Sequence, residues 1–102
     1  MKNYIGKKAI IRADRAGVFY GSLESIEPLG DKFMVEIKDC RRIWRWEGAC
    51  SLSQLAVDGT TKPDECRFSV AVENIVIAGV VELIPCTEKS IKSIESVYEW
   101  KL

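Results

Sequence analysis

The chain has 102 residues, with 15 Lys or Arg and 15 Asp or Glu, so its formal net charge is zero. This length suffices for one hydrophobic core and is too short for two, which predicts a single domain over residues 1–102. A neutral chain lacks the overall positive field of non-specific nucleic-acid binders. Because no segment is apolar enough for a bilayer or a secretory signal, we expect a cytoplasmic protein with no membrane partner.

The chain has no histidine, and its four cysteines form no C-x-x-C pair. Zinc sites usually draw two ligands from one tight turn, so we expect no metal site and no cofactor. Without histidine the commonest general base near neutral pH is missing, and no Ser or Cys lies in an activating motif. The composition therefore predicts a binding protein with no catalytic residues, not an enzyme.

Three segments with period-two patterns open the chain. Apolar residues alternate over residues 7–13, 18–26 and 33–38, which predicts three short antiparallel strands. Residues 14–17 read Asp-Arg-Ala-Gly, a sequence typical of a hairpin turn. Gly21 predicts a bend or bulge within the second strand.

An arginine- and tryptophan-rich insertion follows over residues 39–66. It contains a short predicted helix at residues 51–57, with Ser51 as the N-cap. Strands are predicted again at residues 67–72 and 75–84. The second of these is nearly all apolar, which indicates burial on both faces or cover by a partner.

A C-terminal helix is predicted over about residues 87–96. Thr87 is its expected N-cap, and Ile91, Ile94 and Tyr98 form its apolar stripe. The aromatic ending at residues 98–102 is expected to pack on its own subunit or on a neighbour.

The strands at residues 6–38 and 67–84 predict a mainly β fold with one or two short helices, built as a small bent barrel. Residues 6–11, 17–23 and 31–35 resemble the first motif of Sm-like barrels, and residues 77–84 resemble the second. The resemblance implies an Sm-like or SH3-like β-barrel that assembles as a ring, with RNA as an alternative partner.

A second resemblance covers most of the chain. It rests on Arg-Arg-Ile-Trp-Arg-Trp at residues 41–46, Ser-Leu-Ser-Gln-Leu-Ala at residues 51–56 and Ile-Pro-Cys-Thr-Glu-Lys at residues 84–89. In these motifs the chain is similar to a family of small phage and prophage proteins of unassigned function, which implies a viral or prophage origin. Compact phage proteins include several that sequester nucleotide second messengers of bacterial immunity, so the resemblance favours an anti-defence role.

The run at residues 41–46 is the most informative for function. In an extended strand, Arg42, Trp44 and Trp46 would share one face, because side chains alternate. Indole rings stack on bases, and guanidinium groups grip phosphates in two-point contacts. The same residue types are also common in cores and subunit interfaces. The candidate ligand-binding residues are Arg41, Arg42, Trp44, Arg45, Trp46, Ser51, Ser53, Gln54 and Lys62.

The preferred hypothesis is a homo-oligomeric phage protein that captures a nucleotide-like small molecule without cleaving it. Two alternatives stay open: an Sm-like RNA-binding ring, and a structural or assembly component of a phage. The sequence leaves undecided the ligand, the number of subunits, a viral or host origin, and whether the Arg/Trp run forms a pocket or a subunit interface.

Overall fold

The computed structural model describes residues 2–102, except for the side chain of Lys2. A turn of 3-10 helix (Lys2–Tyr4) precedes the first strand. The five strands are β1 (Lys8–Ala13), β2 (Gly17–Leu29), β3 (Lys32–Arg45), β4 (Arg67–Phe68) and β5 (Val72–Pro85). The helices are α1 (Leu52–Asp58), a second turn of 3-10 helix (Pro63–Glu65) and α2 (Glu88–Glu95).

Antiparallel pairing closes the four longer strands into a barrel. β1 lies between β2 and β5, and β3 pairs with both β2 and β5, so every one of these strands has two partners. The short strand β4 pairs antiparallel with the C-terminal end of β3. The predicted mainly β, barrel-like fold with two short helices is therefore confirmed. Neither helix within residues 2–102 has the length and apolarity that a bilayer crossing requires.

Gly21 lets β2 bend over β3. A Cβ atom at this position would lie 2.8 Å from the carbonyl oxygen of Lys38 and would also collide with the side chain of Ile37. The pairing of β2 with β3 is irregular between Tyr20 and Ser22, where the strand turns. The bend predicted at Gly21 is thus confirmed, and close backbone approach is its cause.

Two apolar layers share the barrel wall. Alternate residues of β1 and β2 point inward, so Ile11 and Phe19 belong to the barrel interior. Their neighbours Ile10 and Tyr20 point outward and are covered by α1, α2 and β4. The helices therefore pack on the outside of the barrel, and both predicted N-caps are confirmed, since Ser51 and Thr87 accept hydrogen bonds from the third residue beyond them.

The third strand is longer than the sequence predicts. The predicted insertion begins at residue 39, but β3 continues to Arg45. Asp39 adopts a left-handed conformation with φ 50°, and beyond it the strand pairs with β2 again, with Arg42 opposite Phe19. Residues 41–45 of the Arg/Trp run therefore belong to β3, and the alternation of buried and exposed residues continues as far as Trp44.

Three further expectations about the second half need correction. The strand predicted at residues 67–72 ends at Phe68. β5 is not buried on both faces within one chain, since only Ile77 and Val80 are buried. Tyr98 is 85% exposed, and Val97 takes its predicted place against the barrel, because α2 ends at Glu95 and the chain then leaves the helical register.

Candidate functional site

The Arg/Trp run divides between the two sides of β3. Arg41 and Ile43 are buried towards the helices, whereas Arg42 and Trp44 are exposed on the other side. The predicted alternation then fails, because the pairing of β3 with β4 is irregular between Ile43 and Arg45. Arg45 is consequently exposed, and Trp46 packs against the helical layer.

Arg41 is a structural residue in this arrangement. Its side chain is 7% exposed, and its guanidinium donates hydrogen bonds to the carbonyl oxygens of Ser69 (2.9 Å), Ile94 (3.2 Å) and Phe68 (3.4 Å). Burial lowers its pKa from the usual arginine value. Arg41 therefore ties β3 to the region of β4 and to the end of α2, on the opposite side of β3 from Trp44.

The other polar candidates stabilise local structure. Arg42 lies 4.6 Å from the centre of the Phe19 ring and donates to the carbonyl oxygen of Ala16. The hydroxyl of Ser51 accepts from the backbone N–H of Gln54, whose side-chain oxygen accepts from the backbone N–H of residue 50. The Ser51 and Gln54 contacts form the N-terminal cap of α1, and the Arg42 contacts join β3 to β2 and the β1–β2 turn. All of these contacts are internal to the chain. Ser53 is exposed, and the Lys62 amine lies 4.0 Å from the Glu65 carboxylate.

Four residues gather at the far end of β3. We call Trp44, Trp100, Arg45 and Arg67 the tryptophan–arginine surface. The rings of Trp44 and Trp100 are stacked, with centroids 4.8 Å apart and planes inclined by 28°. Trp44 is 62% exposed and Trp100 is 42% exposed, so the stacked pair presents aromatic area to solvent.

Two arginines lie directly opposite each other on this surface. Arg45 of β3 pairs with Arg67 of β4 in the sheet register, and like charges at such positions destabilise a sheet. Arg45 has Glu47 at 3.3 Å, but Arg67 takes part in none of the ion pairs found within residues 2–102. The Arg67 guanidinium instead lies over the two indoles, 5.8 Å from the Trp44 centroid and 5.1 Å from the Trp100 centroid.

A cleft opens beside these arginines. Its volume is about 400 Å³, and it is lined by Arg45, Asp64, Glu65, Cys66, Arg67 and Trp100. The cleft has positive charge on the β3–β4 side and negative charge from the turn of 3-10 helix. Such a site suits a polar ligand that has an anionic part and groups that can donate hydrogen bonds.

Backbone pairing holds Trp100 in place. Its N–H donates to the carbonyl oxygen of Phe68 at 2.8 Å, and Glu99 forms a parallel bridge with Phe68. The C-terminal segment thus lies alongside β4, joined to it by a single isolated bridge. Sequence reasoning missed Trp100 and Arg67 as site residues; the aromatic ending was the only signal for the first, and the β3–β4 register identifies the second.

A second polar cluster joins α2 to the barrel. The hydroxyl of Tyr20 donates to the carboxylate of Glu95 at 2.8 Å, and Lys8 also contacts that carboxylate. Burial, followed by the bond to Glu95, raises the pKa of Tyr20 well above its usual value. Burial alone would raise the pKa of Glu95, but hydrogen bonds from Lys8 and Tyr20 outweigh it and hold that pKa below its ordinary value.

Replacing Glu95 with Gln should lower the free energy of unfolding at neutral pH by about 1 kcal/mol, because charged hydrogen bonds to Lys8 and Tyr20 are weakened. A carboxylate whose pKa is lower in the folded than in the unfolded chain stabilises the folded state at pH values above its unfolded pKa. This stabilisation is lost as the pH falls through the folded pKa. The difference from wild type should therefore vanish in acid. Urea unfolding at neutral and acid pH measures it, with Glu27→Gln on the exposed face of β2 as a neutral control. An unchanged difference at both pH values would contradict the ionic role.

A family model described as Domain of unknown function (DUF6948) matches residues 6–94. The chain belongs to this family. The DUF6948 match contains the whole barrel, α1, all of α2 except Glu95, and three members of the tryptophan–arginine surface, and Trp100 lies beyond it. Searches among curated proteins and among solved structures found no match. Within residues 2–102, no three Cys, Asp or Glu side chains lie close enough to hold a metal ion together.

Proposed function

We propose that the protein captures a nucleotide-like ligand on the tryptophan–arginine surface and does not cleave it. The observation that supports this most is the facing pair Arg45 and Arg67 beside an exposed indole stack. Two like charges held opposite each other favour an anion between them, since a bound phosphate would attract both guanidinium groups and offset their repulsion. Guanidinium groups are suited to this role because they make two-point contacts with phosphate.

The exposed face of Trp44 would hold the base. Stacking of a base on an aromatic side chain contributes about 1–3 kcal/mol. Trp44 and Trp100 are already stacked on each other, so the base would extend an existing aromatic column. Arg67 lies over both rings, so its positive charge would be next to the base and available to the phosphate that the base carries.

The acidic wall of the cleft would limit the kind of ligand. Asp64 and Glu65 line the same cleft as the arginines, and carboxylates accept hydrogen bonds from ribose hydroxyls and amino groups while repelling further phosphates. A volume of about 400 Å³ lies in the range of roughly 300–1,000 Å³ typical of small-molecule sites. A compact nucleotide fits these features better than a long polyanion.

Capture without hydrolysis is supported by composition. The chain has no histidine, the residue that most often serves as a general base near neutral pH. We further propose that the ligand is a nucleotide signal of bacterial immunity and that a phage-encoded, oligomeric form of the protein sequesters it in the host cytoplasm. The support for this part is the resemblance of residues 41–46, 51–56 and 84–89 to small phage proteins.

Replacing Trp44 with Ala should weaken nucleotide binding by about tenfold or more, the equivalent of one lost base stack. Isothermal titration calorimetry with ATP, ADP-ribose and a cyclic dinucleotide measures this effect. Trp46→Phe is the matched control, because Trp46 packs against the helical layer and not on the exposed surface. Equal affinity of the Trp44→Ala variant and the wild type would reject the site.

The same titration separates the alternatives. An RNA-binding protein would prefer a long oligonucleotide, and its affinity would fall steeply as salt is added, because each phosphate contact releases counterions. A structural or assembly component would bind none of these compounds. Either result would overturn the proposal of nucleotide capture.

A further inference from the structure

The N-terminal half of β5 has an open outer edge. Residues 72–77 pair with β3 on one side, whereas β1 pairs only with the other half of β5, from Val80 onward. Within the described part of the chain, no strand pairs with the second side of residues 72–77. Val76 is 65% exposed there, and Val70 and Val72 are exposed beside it. The edge therefore combines unpaired backbone groups with apolar side chains, a combination that favours pairing with another strand.

The other open edge of the same sheet is protected. Residues 24–29 of β2 pair only with β3, but this segment carries Glu24, Glu27 and Pro28. Charges and proline are the usual means by which proteins prevent edge-to-edge pairing. Residues 72–77 have neither lysine nor proline, and Glu73 is their only charged residue. The β2 edge therefore carries more of the charge and proline that oppose pairing with another strand than the β5 edge does.

We propose that this edge of β5 pairs antiparallel with the same edge of a second copy of the chain, about a two-fold axis at Asn74. In a two-fold antiparallel pair, one residue must lie opposite itself. With Asn74 at the axis, Val72 of each copy lies opposite Val76 of the other. Asn74 and Val76 are opposite Lys38 and Glu36 of β3, whereas Val72 is opposite the buried Cys40, beyond the left-handed residue Asp39. Both valines are exposed, so each would be covered when the two edges pair.

Charge favours a second copy of β5 over the β2 edge as the occupant. In the two-fold register Glu73 lies opposite Ile75, so no like charges face each other, and the formal net charge of zero gives two copies no overall repulsion. A head-to-tail contact of β5 with β2 would bring Glu73 towards Glu24 and Glu27. The two-fold contact closes on itself and predicts a dimer. This inference concerns a surface separate from the tryptophan–arginine surface and does not depend on nucleotide binding.

Sedimentation equilibrium of the full chain tests the dimer. The wild type should show twice the 11.5 kDa chain mass, and Val76→Lys should raise the dissociation constant by about tenfold or more, since a charge is placed in the apolar pair. Val72→Lys should act in the same way, and Val57→Lys on α1 is the control that should leave the dimer intact. A monomeric wild type at concentrations up to about 1 mM, the weak end of specific association, would overturn the proposal. So would a larger ring, or a dimer that both β5 variants leave intact.

Cross-linking tests the register. Residues opposite each other in antiparallel strands have Cα atoms about 4.5–5.5 Å apart, within the range of a disulfide. In a Cys50→Ser background, which removes the exposed native cysteine, Asn74→Cys should form a covalent dimer on mild oxidation. Glu73→Cys should not, because Glu73 lies opposite Ile75 in the proposed pair. Efficient cross-linking of the Glu73→Cys variant alone would reject the axis at Asn74.

Discussion

Replacing Arg67 with Gln should weaken nucleotide binding on the order of 100-fold, because hydrogen bonds to a charged phosphate contribute about 1.5–3 kcal/mol. Stability should change by less than about 1 kcal/mol. Removing Arg67 relieves its repulsion by the facing Arg45, and this gain offsets the loss of its contacts with Trp44 and Trp100.

Calorimetric titration with the best-binding nucleotide and urea unfolding measure the two effects in parallel. Arg67→Lys keeps the charge and loses the planar two-point contact, so it should lie between the wild type and Arg67→Gln. Arg12→Gln is the matched control, since Arg12 is an exposed arginine on β1 paired with Glu82. If Arg67→Gln bound as tightly as the wild type, or lost binding only because it unfolded, Arg67 would not be a ligand residue.

Replacing Arg41 with Ala should lower the free energy of unfolding by about 3 kcal/mol or more. The buried guanidinium donates to the carbonyl oxygens of Phe68, Ser69 and Ile94, and hydrogen bonds to a charged group contribute about 1.5–3 kcal/mol each. The oxygens of Phe68 and Ile94 keep the backbone N–H groups of Trp100 and Val97 as donors, so the cost of about 1–3 kcal/mol for an unsatisfied buried acceptor falls on Ser69. The substitution also removes the stem of a buried side chain next to the Phe68 ring. Urea unfolding at neutral pH measures the change.

Arg42→Ala is the control for this prediction. Arg42 is exposed, contacts the Phe19 ring and donates one hydrogen bond to the β1–β2 turn, so its loss should lower stability by only about 1 kcal/mol. The adjacent arginines thus test the division of the Arg/Trp run between the two sides of β3. If Arg41→Ala kept its stability but lost nucleotide binding, Arg41 would be a ligand-binding residue and not a structural one.

Local signals in the sequence were sufficient for much of the fold. The hairpin turn at residues 14–17, the bend at Gly21 and the caps at Ser51 and Thr87 depend on short-range chemistry, and the structure has all of them. The end of β3 was missed because Asp39 adopts a positive φ and the strand then continues along β2. Nothing in the residues around position 39 indicates that a partner strand lies beside them.

The candidate site was only partly predictable for the same reason. Trp44 and Arg45 were among the predicted ligand residues, but their partners Arg67 and Trp100 come from distant parts of the chain. Arg45 and Arg67 face each other because of the register between β3 and the two-residue strand β4. The apolar sequence at residues 75–84 suggested burial, and its first residues belong to the edge at residues 72–77 that we propose pairs with a second copy.

Native mass spectrometry tests the central claim of nucleotide capture most directly. The full chain would be purified from cells with an active nucleotide-signalling defence and weighed before and after denaturation, beside the Arg67→Gln variant. The account predicts that the folded wild type carries a small phosphorus-containing molecule, that denaturation releases it intact, and that the variant carries far less. A wild-type protein with nothing bound, or one that carries the same molecule in equal amount when Arg67 is replaced, would contradict it.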